Sequence, residues 1–317
     1  MAKPIRILSI DGGGVRGLIP SLVLTKLEDL TGRPIFELFD LIAGTSTGGI
    51  LALGLTMPGL DGRPAHSAAS MVSIYEKEAG RIFSRRFSHR VLTLGSLADQ
   101  KYPAEGIESV LTEYFGEARL KDSLTEVLVP AFEIERHIPF FFKSANALKN
   151  PAYDFSIKDV ARATSAAPTY FEPHVIPTGD AGDYFTLVDG GVYANNPAAC
   201  ALAESMARHP GSNDFLVVSL GTGSRPESID YKRAKSWGLA QWAKPIFNVV
   251  LDGVSATVDY QLKQMVTKYF RFQPNLEVGC APMDKVDRQN LRRLRLTAEA
   301  MIRERSQDLR LLSELLV

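Results

Sequence analysis

The chain has 317 residues, 45% of them hydrophobic, and its 36 Lys plus Arg balance its 36 Asp plus Glu. This length suits one large α/β domain or two smaller ones. The balanced charge excludes a net field that would draw the protein to nucleic acid or to an anionic membrane, so any such contact must be local. The two cysteines, Cys200 and Cys280, lack the spacing of a disulfide framework or a zinc site, which predicts a reducing compartment and no metal.

The start of the chain passes directly into an apolar, strand-like run. Residues 1–10 lack the charged start, the longer apolar stretch and the small-residue cleavage site of a signal peptide. No apolar run in the sequence reaches transmembrane length. We therefore expect a soluble, cytoplasmic protein.

Apolar runs and helical patterns alternate along most of the chain. The runs that predict buried strands are IRILSI (5–10), FDLIAG (39–44), VLVPAFEI (127–134), PFFFKS (139–144), FTLVDG (185–190) and FLVVSL (215–220). Helices are predicted at about 17–30, 48–56, 67–80, 104–115, 157–164 and 197–208. This alternation predicts a three-layer α/β/α fold with a mostly parallel central sheet.

Two long loops are predicted, at 59–65 and 83–103. The second is flanked and filled by basic residues, namely Arg81, Arg85, Arg86, His89, Arg90 and Lys101. This basic segment is either a solvated surface or a lid that contacts an anionic surface.

The C-terminal part, from about Ser236, has a mostly helical pattern. It ends in an amphipathic stretch whose apolar face is formed by Leu291, Leu294, Ile302, Leu309 and Leu312. We expect this part to pack on the main domain. No linker separates it, so residues 1–317 are predicted to form a single domain.

A glycine cluster follows the first predicted strand. Gly12, Gly14 and Gly17 satisfy G-x-G-x-x-G, which is found in phosphate-binding turns but also in plain turns. The same backbone N–H groups could instead stabilise an oxyanion. A dinucleotide site needs an acidic residue at the end of the second strand, and Asp40 precedes that strand.

The second strand ends in Gly44-Thr45-Ser46-Thr47-Gly48, a G-x-S-x-G sequence followed by a helical pattern. This is the context of a nucleophile elbow, in which glycines at 44 and 48 allow a sharp turn that presents Ser46. The N–H of Thr47 then faces the reacting centre. We therefore favour an oxyanion hole at Gly12, Gly13 and Gly14 over a phosphate site.

Arg16 follows the glycine cluster by about one helical turn. Three interpretations stay open for it: orientation of the loop, attraction of an anionic head group, or plain surface charge.

A nucleophilic serine needs a base, and the histidines fit poorly. Only His209 follows the best late acid, Asp189, and its position at an apparent helix end suits a cap better than catalysis. Asp189 lies after an apolar run in LVDGGVYANNP, where it is either a turn residue or the base itself.

Three segments in order resemble the patatin-like phospholipases, a family of lipid acyl hydrolases. They are Asp11–Gly17, Gly44–Gly48 and Asp189–Gly191, and the segments ARATSAAPTYFEP (161–173) and SLGTG (219–223) are also similar. The resemblance covers about residues 5–223, and the C-terminal part is compatible with bacterial members.

The resemblance implies a Ser46–Asp189 dyad without histidine and an oxyanion loop at Gly12–Gly14. It implies a carboxylic ester hydrolase that needs no metal or cofactor and acts on phospholipids or related glycerolipids through an acyl-enzyme. Burial of Asp189 would raise its pKa and suit it to act as a base. An acyltransferase with the same nucleophile is the alternative, and a nucleotide-binding protein is a remote one.

The segment YKRAKSWGLAQWAKPIF (231–247) places Trp237 and Trp242 among four basic residues. This composition suits a membrane surface, and equally a helix packed on its own domain. The expected partners are therefore a lipid substrate, met at a membrane surface, and no nucleic acid.

Overall fold

The computed structural model describes residues 3–59, 61–84, 101–179, 182–224 and 228–317, with the backbone alone at 240, 243 and 244. Most of the predicted basic loop, including Arg85, Arg86, His89 and Arg90, lies outside these residues. Arg81 and Lys101 are described, and each is ion-paired: Arg81 with Glu78 and Glu113, and Lys101 with Asp284.

The described residues form one eight-stranded sheet, in the spatial order β5-β6-β3-β2-β1-β7-β8 with β4 paired to β3. The strands are β1 (Ile5–Ile10), β2 (Leu41–Gly44), β3 (Glu126–Glu133), β4 (Ile138–Lys143), β5 (His174–Pro177), β6 (Tyr184–Asp189), β7 (Phe215–Leu220) and β8 (Lys268–Phe272). The strands β8, β7, β1, β2 and β3 are parallel, whereas β4 and β6 run antiparallel to β3. The predicted α/β fold with a mostly parallel sheet is confirmed.

The helices of the described residues connect and cover these strands. They are α1 (Leu18–Thr31), α2 (Ile35–Leu38), α3 (Thr47–Thr56), α4 (Ala68–Ile82), α5 (Ala104–Phe115), α6 (Ser144–Ala147), α7 (Ile157–Thr164), α8 (Gly191–Ala194), α9 (Ala198–Arg208), α10 (Tyr231–Ala234), α11 (Leu239–Met265), α12 (Arg288–Glu304) and α13 (Ser306–Leu316). Within the described ranges, no helix combines the length and apolar character needed to cross a membrane.

Two hydrophobic clusters lie on opposite faces of the sheet. Along β1, Ile7 packs with α9 and the end of α11, whereas Leu8 and Ile10 pack with the larger cluster that contains α1, α3 and α4. Successive side chains of a strand point to opposite faces, so a strand that is apolar at most positions must be covered on both sides. This explains the three layers.

The C-terminal helices α12 and α13 pack against α1. Leu294, Leu309 and Leu312 are buried in the larger cluster, and Leu291 and Ile302 contact it. The predicted apolar face therefore packs on the main body of the protein.

Three features of the sheet differ from the sequence prediction. The edge strands β5 and β8 were not predicted, and β8 lies in a segment expected to be helical. Both are short, and their sequences contain polar side chains, among them His174, Lys268 and Arg271, which hide the apolar pattern. The strand β4 is not buried on both faces, because Ile138 at its start is 47% exposed.

One residue of β8 makes the most buried ion pair on the sheet edge. Arg271 donates to both carboxylate oxygens of Asp11, at 2.9 and 2.6 Å, and to the hydroxyl of Ser219 at 2.7 Å. Both members of the pair are buried. Because Asp11 begins the glycine cluster, this pair fixes the start of that turn to the last strand of the sheet.

We predict that Arg271→Met lowers the free energy of unfolding by about 3–5 kcal/mol, since it leaves a buried carboxylate without its partner. The control on the same strand is Lys268→Met, which removes an exposed pair with Asp214 and should cost at most about 1 kcal/mol. Urea denaturation of both variants measures the difference. Equal losses of unfolding free energy in the two variants would show that the buried ion pair stabilises the protein no more than the exposed one.

Candidate active site

Ser46 lies in a sharp turn between β2, which ends at Gly44, and α3, which begins at Thr47. Its backbone has φ 55° and ψ −122°, a conformation that side-chain-bearing residues rarely adopt. The hydroxyl of Thr164 accepts the N–H of Ser46 at 3.0 Å and donates to the carbonyl of Pro130 at 2.7 Å. The strained turn is therefore held between α7 and β3.

The glycines on either side of Ser46 are required by close backbone contacts. A Cβ added to Gly44 would lie 2.0 Å from the carbonyl oxygen of Gly48. One added to Gly48 would lie 2.2 Å from the carbonyl oxygen of Ile10. No side chain fits at either distance, so the G-x-S-x-G spacing follows from the geometry of the turn itself.

Asp189 ends β6, opposite Ala131 of β3 in the antiparallel register. Strand β3 extends past the end of β2, and β6 returns along this extension, which brings Asp189 level with the turn at Ser46. The carboxylate is buried and accepts the N–H of Gly191 at 2.7 Å. The side chain of Ser46 lies close enough to this carboxyl to lower its pKa.

Burial is the main influence on the carboxyl of Asp189. It raises the pKa to about 7, against the opposing effects of the Ser46 side chain and of the N–H of Gly191. A carboxyl group with this pKa can exchange a proton near neutral pH, which an ordinary aspartate cannot do efficiently.

The glycine cluster faces Ser46 across the end of the sheet. The N–H of Gly12 donates to the carbonyl of Asn195 at 3.0 Å, so it is not free for an oxyanion, and the expectation for Gly12 is corrected. A Cβ added to Gly12 would lie 2.4 Å from Oδ1 of Asn195. Within the described ranges, no acceptor meets the N–H groups of Gly13 and Gly14.

Two other features frame this turn. Gly14 has φ 59°, a left-handed conformation that favours glycine, and a Cβ there would lie 2.3 Å from the carbonyl of Met283. Thr47 begins α3, so its N–H points out of the first helical turn toward the same space, and the described residues offer it no acceptor. Three N–H groups, from Gly13, Gly14 and Thr47, are thus available beside Ser46.

Arg16 is buried, which excludes the surface-charge interpretation. Its Nε donates to the carbonyl of Gly13 at 3.2 Å, and its guanidinium also contacts the carbonyl of Gly223 at 3.4 Å. These contacts support the interpretation that Arg16 orients the loop.

An apolar cleft of about 990 Å³, including its open mouth, lies against Ser46 and Asp189. Its walls come mainly from α4, α5 and residues 165–171, with a smaller part from α11, and Gly13, Gly14 and Thr47 also line it. Apolar side chains dominate the lining, among them Ile74, Ile107, Leu111, Phe171, Phe247 and Leu251. A lipid acyl chain would bury each of its CH₂ groups here with a gain of about 0.8 kcal/mol.

None of the four described histidines lines the cleft. His209 is exposed at the end of α9, where its charge helps to lower the pKa of the carboxyls of Asp40 and Glu126. Those two residues lie at the starts of β2 and β3, the opposite end of the parallel strands from Ser46. His209 is therefore not in position to activate Ser46.

Two residues that hold the site in place, Asn195 and Thr164, could not be assigned this role from the sequence. Asn195 accepts from Gly12 through its backbone and donates from Nδ2 to the hydroxyl of Ser255 at 2.9 Å. An asparagine after a glycine pair signals only a helix cap. Its link to α11 is a tertiary contact that no local pattern reveals.

A serine on a strained turn, a buried carboxyl group and a long apolar cleft define a lipid acyl hydrolase. The sequence profile described as Patatin-like phospholipase matches residues 8–202. The chain belongs to this family.

Relatives in plants are similar over almost the whole chain. Patatin-like protein 1 of Arabidopsis thaliana is 33% identical over 95% of this chain and 82% of its own length. Patatin-like protein 2 of the same plant is 34% identical over 95% of this chain and 83% of its own. Probable inactive patatin-3-Kuras 1 of Solanum tuberosum is 32% identical over 89% and 81%.

The raised pKa of Asp189 predicts a pH-dependent cost in stability. Burial raises it from 3.8 to about 7, so between these pH values the unfolded chain loses a proton that the folded protein keeps. Stability therefore falls as the pH rises through this window. Asp189→Asn carries no such cost, and its gain in unfolding free energy over wild type should be larger at about pH 8 than at about pH 4.

Urea denaturation at both pH values measures this gain. Asp61→Asn, at an exposed turn position, serves as the control for removing a carboxylate. A gain for Asp189→Asn that is the same at both pH values would contradict a buried carboxyl with a raised pKa.

Proposed function

We propose that this protein hydrolyses fatty-acyl esters of phospholipids or related glycerolipids through a Ser46–Asp189 dyad and an acyl-enzyme. The observation that carries the proposal is the placement of the Ser46 side chain beside a buried carboxyl whose pKa lies near 7, with both residues at the apolar cleft. Family membership alone does not establish activity, because one similar protein is named a probable inactive patatin. The chemistry of this chain's own residues therefore has to support it.

In the first step, Oγ of Ser46 attacks the ester carbonyl carbon and its proton passes to Asp189. The carbonyl oxygen gains negative charge, which the N–H groups of Gly13, Gly14 and Thr47 would stabilise in a cleft with few polar side chains. The proton on Asp189 then goes to the leaving alcohol oxygen as the carbon–oxygen bond breaks. The acyl chain stays on Ser46 and lies in the apolar cleft.

In the second step, water attacks the acyl-enzyme carbonyl while Asp189 accepts its proton. The same N–H groups stabilise the second oxyanion, and the proton returns from Asp189 to Oγ of Ser46 as the fatty acid leaves. One buried carboxyl thus serves both halves of the cycle, as base and then as acid. An acceptor alcohol in place of water would give transacylation instead.

The two cysteines support a reducing compartment for this activity. Cys200 and Cys280 are both free thiols in the structure. This supports our proposal of a cytoplasmic enzyme, because thiols stay reduced in that compartment.

We expect Ser46→Ala and Asp189→Asn each to lower kcat for p-nitrophenyl ester hydrolysis by about a thousandfold or more, because each removes a group that acts in both steps. His209→Ala should retain the wild-type rate, since His209 lies at the other end of the strands. Product analysis with an added alcohol distinguishes free fatty acid from a transferred acyl group. Wild-type rates in Ser46→Ala would exclude the proposed nucleophile.

The rate should also depend on pH through Asp189. Because the base must be ionised and its pKa is about 7, kcat/KM should rise with pH and reach half of its plateau near pH 7. Below that midpoint it should fall tenfold for each pH unit. A midpoint near 4, the value of an ordinary aspartate, would mean that Asp189 is not the base.

A further inference from the structure

Helix α11 (Leu239–Met265) carries an apolar stripe that faces away from the protein. Leu239 is 94% exposed, Ile246 45%, Val249 43% and Val250 38%. Leu239, Val249 and Val250 lie seven, three and four residues from Ile246. These spacings place the four side chains on one side of the helix. We call them the outer stripe.

The opposite side of the same helix is apolar as well and is covered. Phe247 and Leu251 line the cleft beside Ser46, and Leu262, further along, is buried against the sheet. Between Pro245 and Leu251 the helix is thus apolar on both sides. Such a helix is normally buried all round, so the outer stripe is a surface that needs a partner.

The segment that carries the outer stripe is basic. Residues 231–251 contain Lys232, Arg233, Lys235 and Lys244 and no acidic residue between the flanking Asp230 and Asp252, although the whole chain is neutral. The first three are exposed just before α11 begins. Next to them, Trp237 and Trp242 stack edge to face with ring centroids 5.1 Å apart.

We propose that the outer stripe and the basic residues before it dock the protein on an anionic lipid surface, an inference that rests on the proposed lipid hydrolysis. Apolar side chains flanked by tryptophans and cations match the layered chemistry of a bilayer surface. The cleft adjoins this surface, because α11 supplies Phe247 and Leu251 to its wall. Docking through the outer stripe would therefore bring the cleft to within one helix diameter, about 10 Å, of the lipid surface.

Charge favours lipid over a second copy of the chain. In a symmetric dimer the same patch meets itself. The four basic residues would then face a segment in which they outnumber the flanking acids, Asp230 and Asp252. An anionic surface supplies the missing negative charge.

Vesicle binding tests the docking without using catalysis. With Ser46→Ala as the parent, co-sedimentation should show stronger binding to phosphatidylcholine vesicles that contain phosphatidylglycerol than to phosphatidylcholine alone. Adding Ile246→Glu and Val249→Glu should lower binding to both by at least about tenfold. Adding Lys232→Glu and Lys235→Glu should lower binding to the anionic vesicles alone, by about fivefold or more for each residue.

The matched control places two charges on another exposed apolar face. Leu311→Glu with Leu315→Glu on α13, at residues 49% and 39% exposed, should leave vesicle binding unchanged. An equal loss in this control, or vesicle binding that survives Ile246→Glu with Val249→Glu, would overturn the proposal.

Two further measurements separate this inference from the proposed function. In the active enzyme, Ile246→Glu with Val249→Glu should slow hydrolysis of phospholipid in vesicles at least about tenfold and leave hydrolysis of a soluble short-chain ester unchanged. A wild type that hydrolyses the soluble ester but binds no vesicle overturns the docking alone. One that binds vesicles but hydrolyses nothing overturns the proposed function and leaves the docking surface supported.

Light scattering tests whether a second copy of the chain covers the outer stripe. The docking proposal expects the same mass for wild type and for Ile246→Glu with Val249→Glu. A dimer that this variant converts to monomers would assign the stripe to contact between copies and overturn the proposal.

Discussion

The strained backbone of Ser46 is the constraint on which the arrangement of the site depends. A serine at φ 55° is costly, by about 1–3 kcal/mol, and persists only where its surroundings leave no alternative. Here β2 delivers the chain to Gly44, α3 leaves from Thr47, and Thr164 holds the N–H between them. The close approach of Gly48 to the Ile10 carbonyl places the glycine cluster, which follows β1, beside the same turn.

The apolar surroundings serve two purposes at once. The side chains that would receive an acyl chain also withdraw Asp189 from water, and this withdrawal raises its pKa to about 7. A more polar cleft would bind lipid less well and leave a carboxylate too acidic to take a proton from serine. In the proposed mechanism, substrate preference and the strength of the base therefore both follow from the apolar surroundings of the cleft.

The sequence predicted best those features whose physical cause lies in neighbouring residues of the chain. The elbow glycines, the buried central strands and the poor position of His209 follow from turn sterics, hydrophobic pattern and chain order. Local pattern says nothing of pairings across the sheet, such as the Gly12 N–H with the Asn195 carbonyl or Asp11 with Arg271. It also missed the edge strands, because a half-exposed strand such as β8 keeps charged side chains.

The central claim is that Ser46 is a nucleophile activated by a carboxylate with a raised pKa. Mass spectrometry of the protein after reaction with a fluorophosphonate probe tests it most directly, because covalent labelling requires attack by one serine and no particular lipid. The account predicts an adduct on Ser46 that forms faster as the pH rises through about 7 and that Asp189→Asn forms far more slowly. An unlabelled Ser46, or an adduct whose rate is the same in Asp189→Asn, would contradict it.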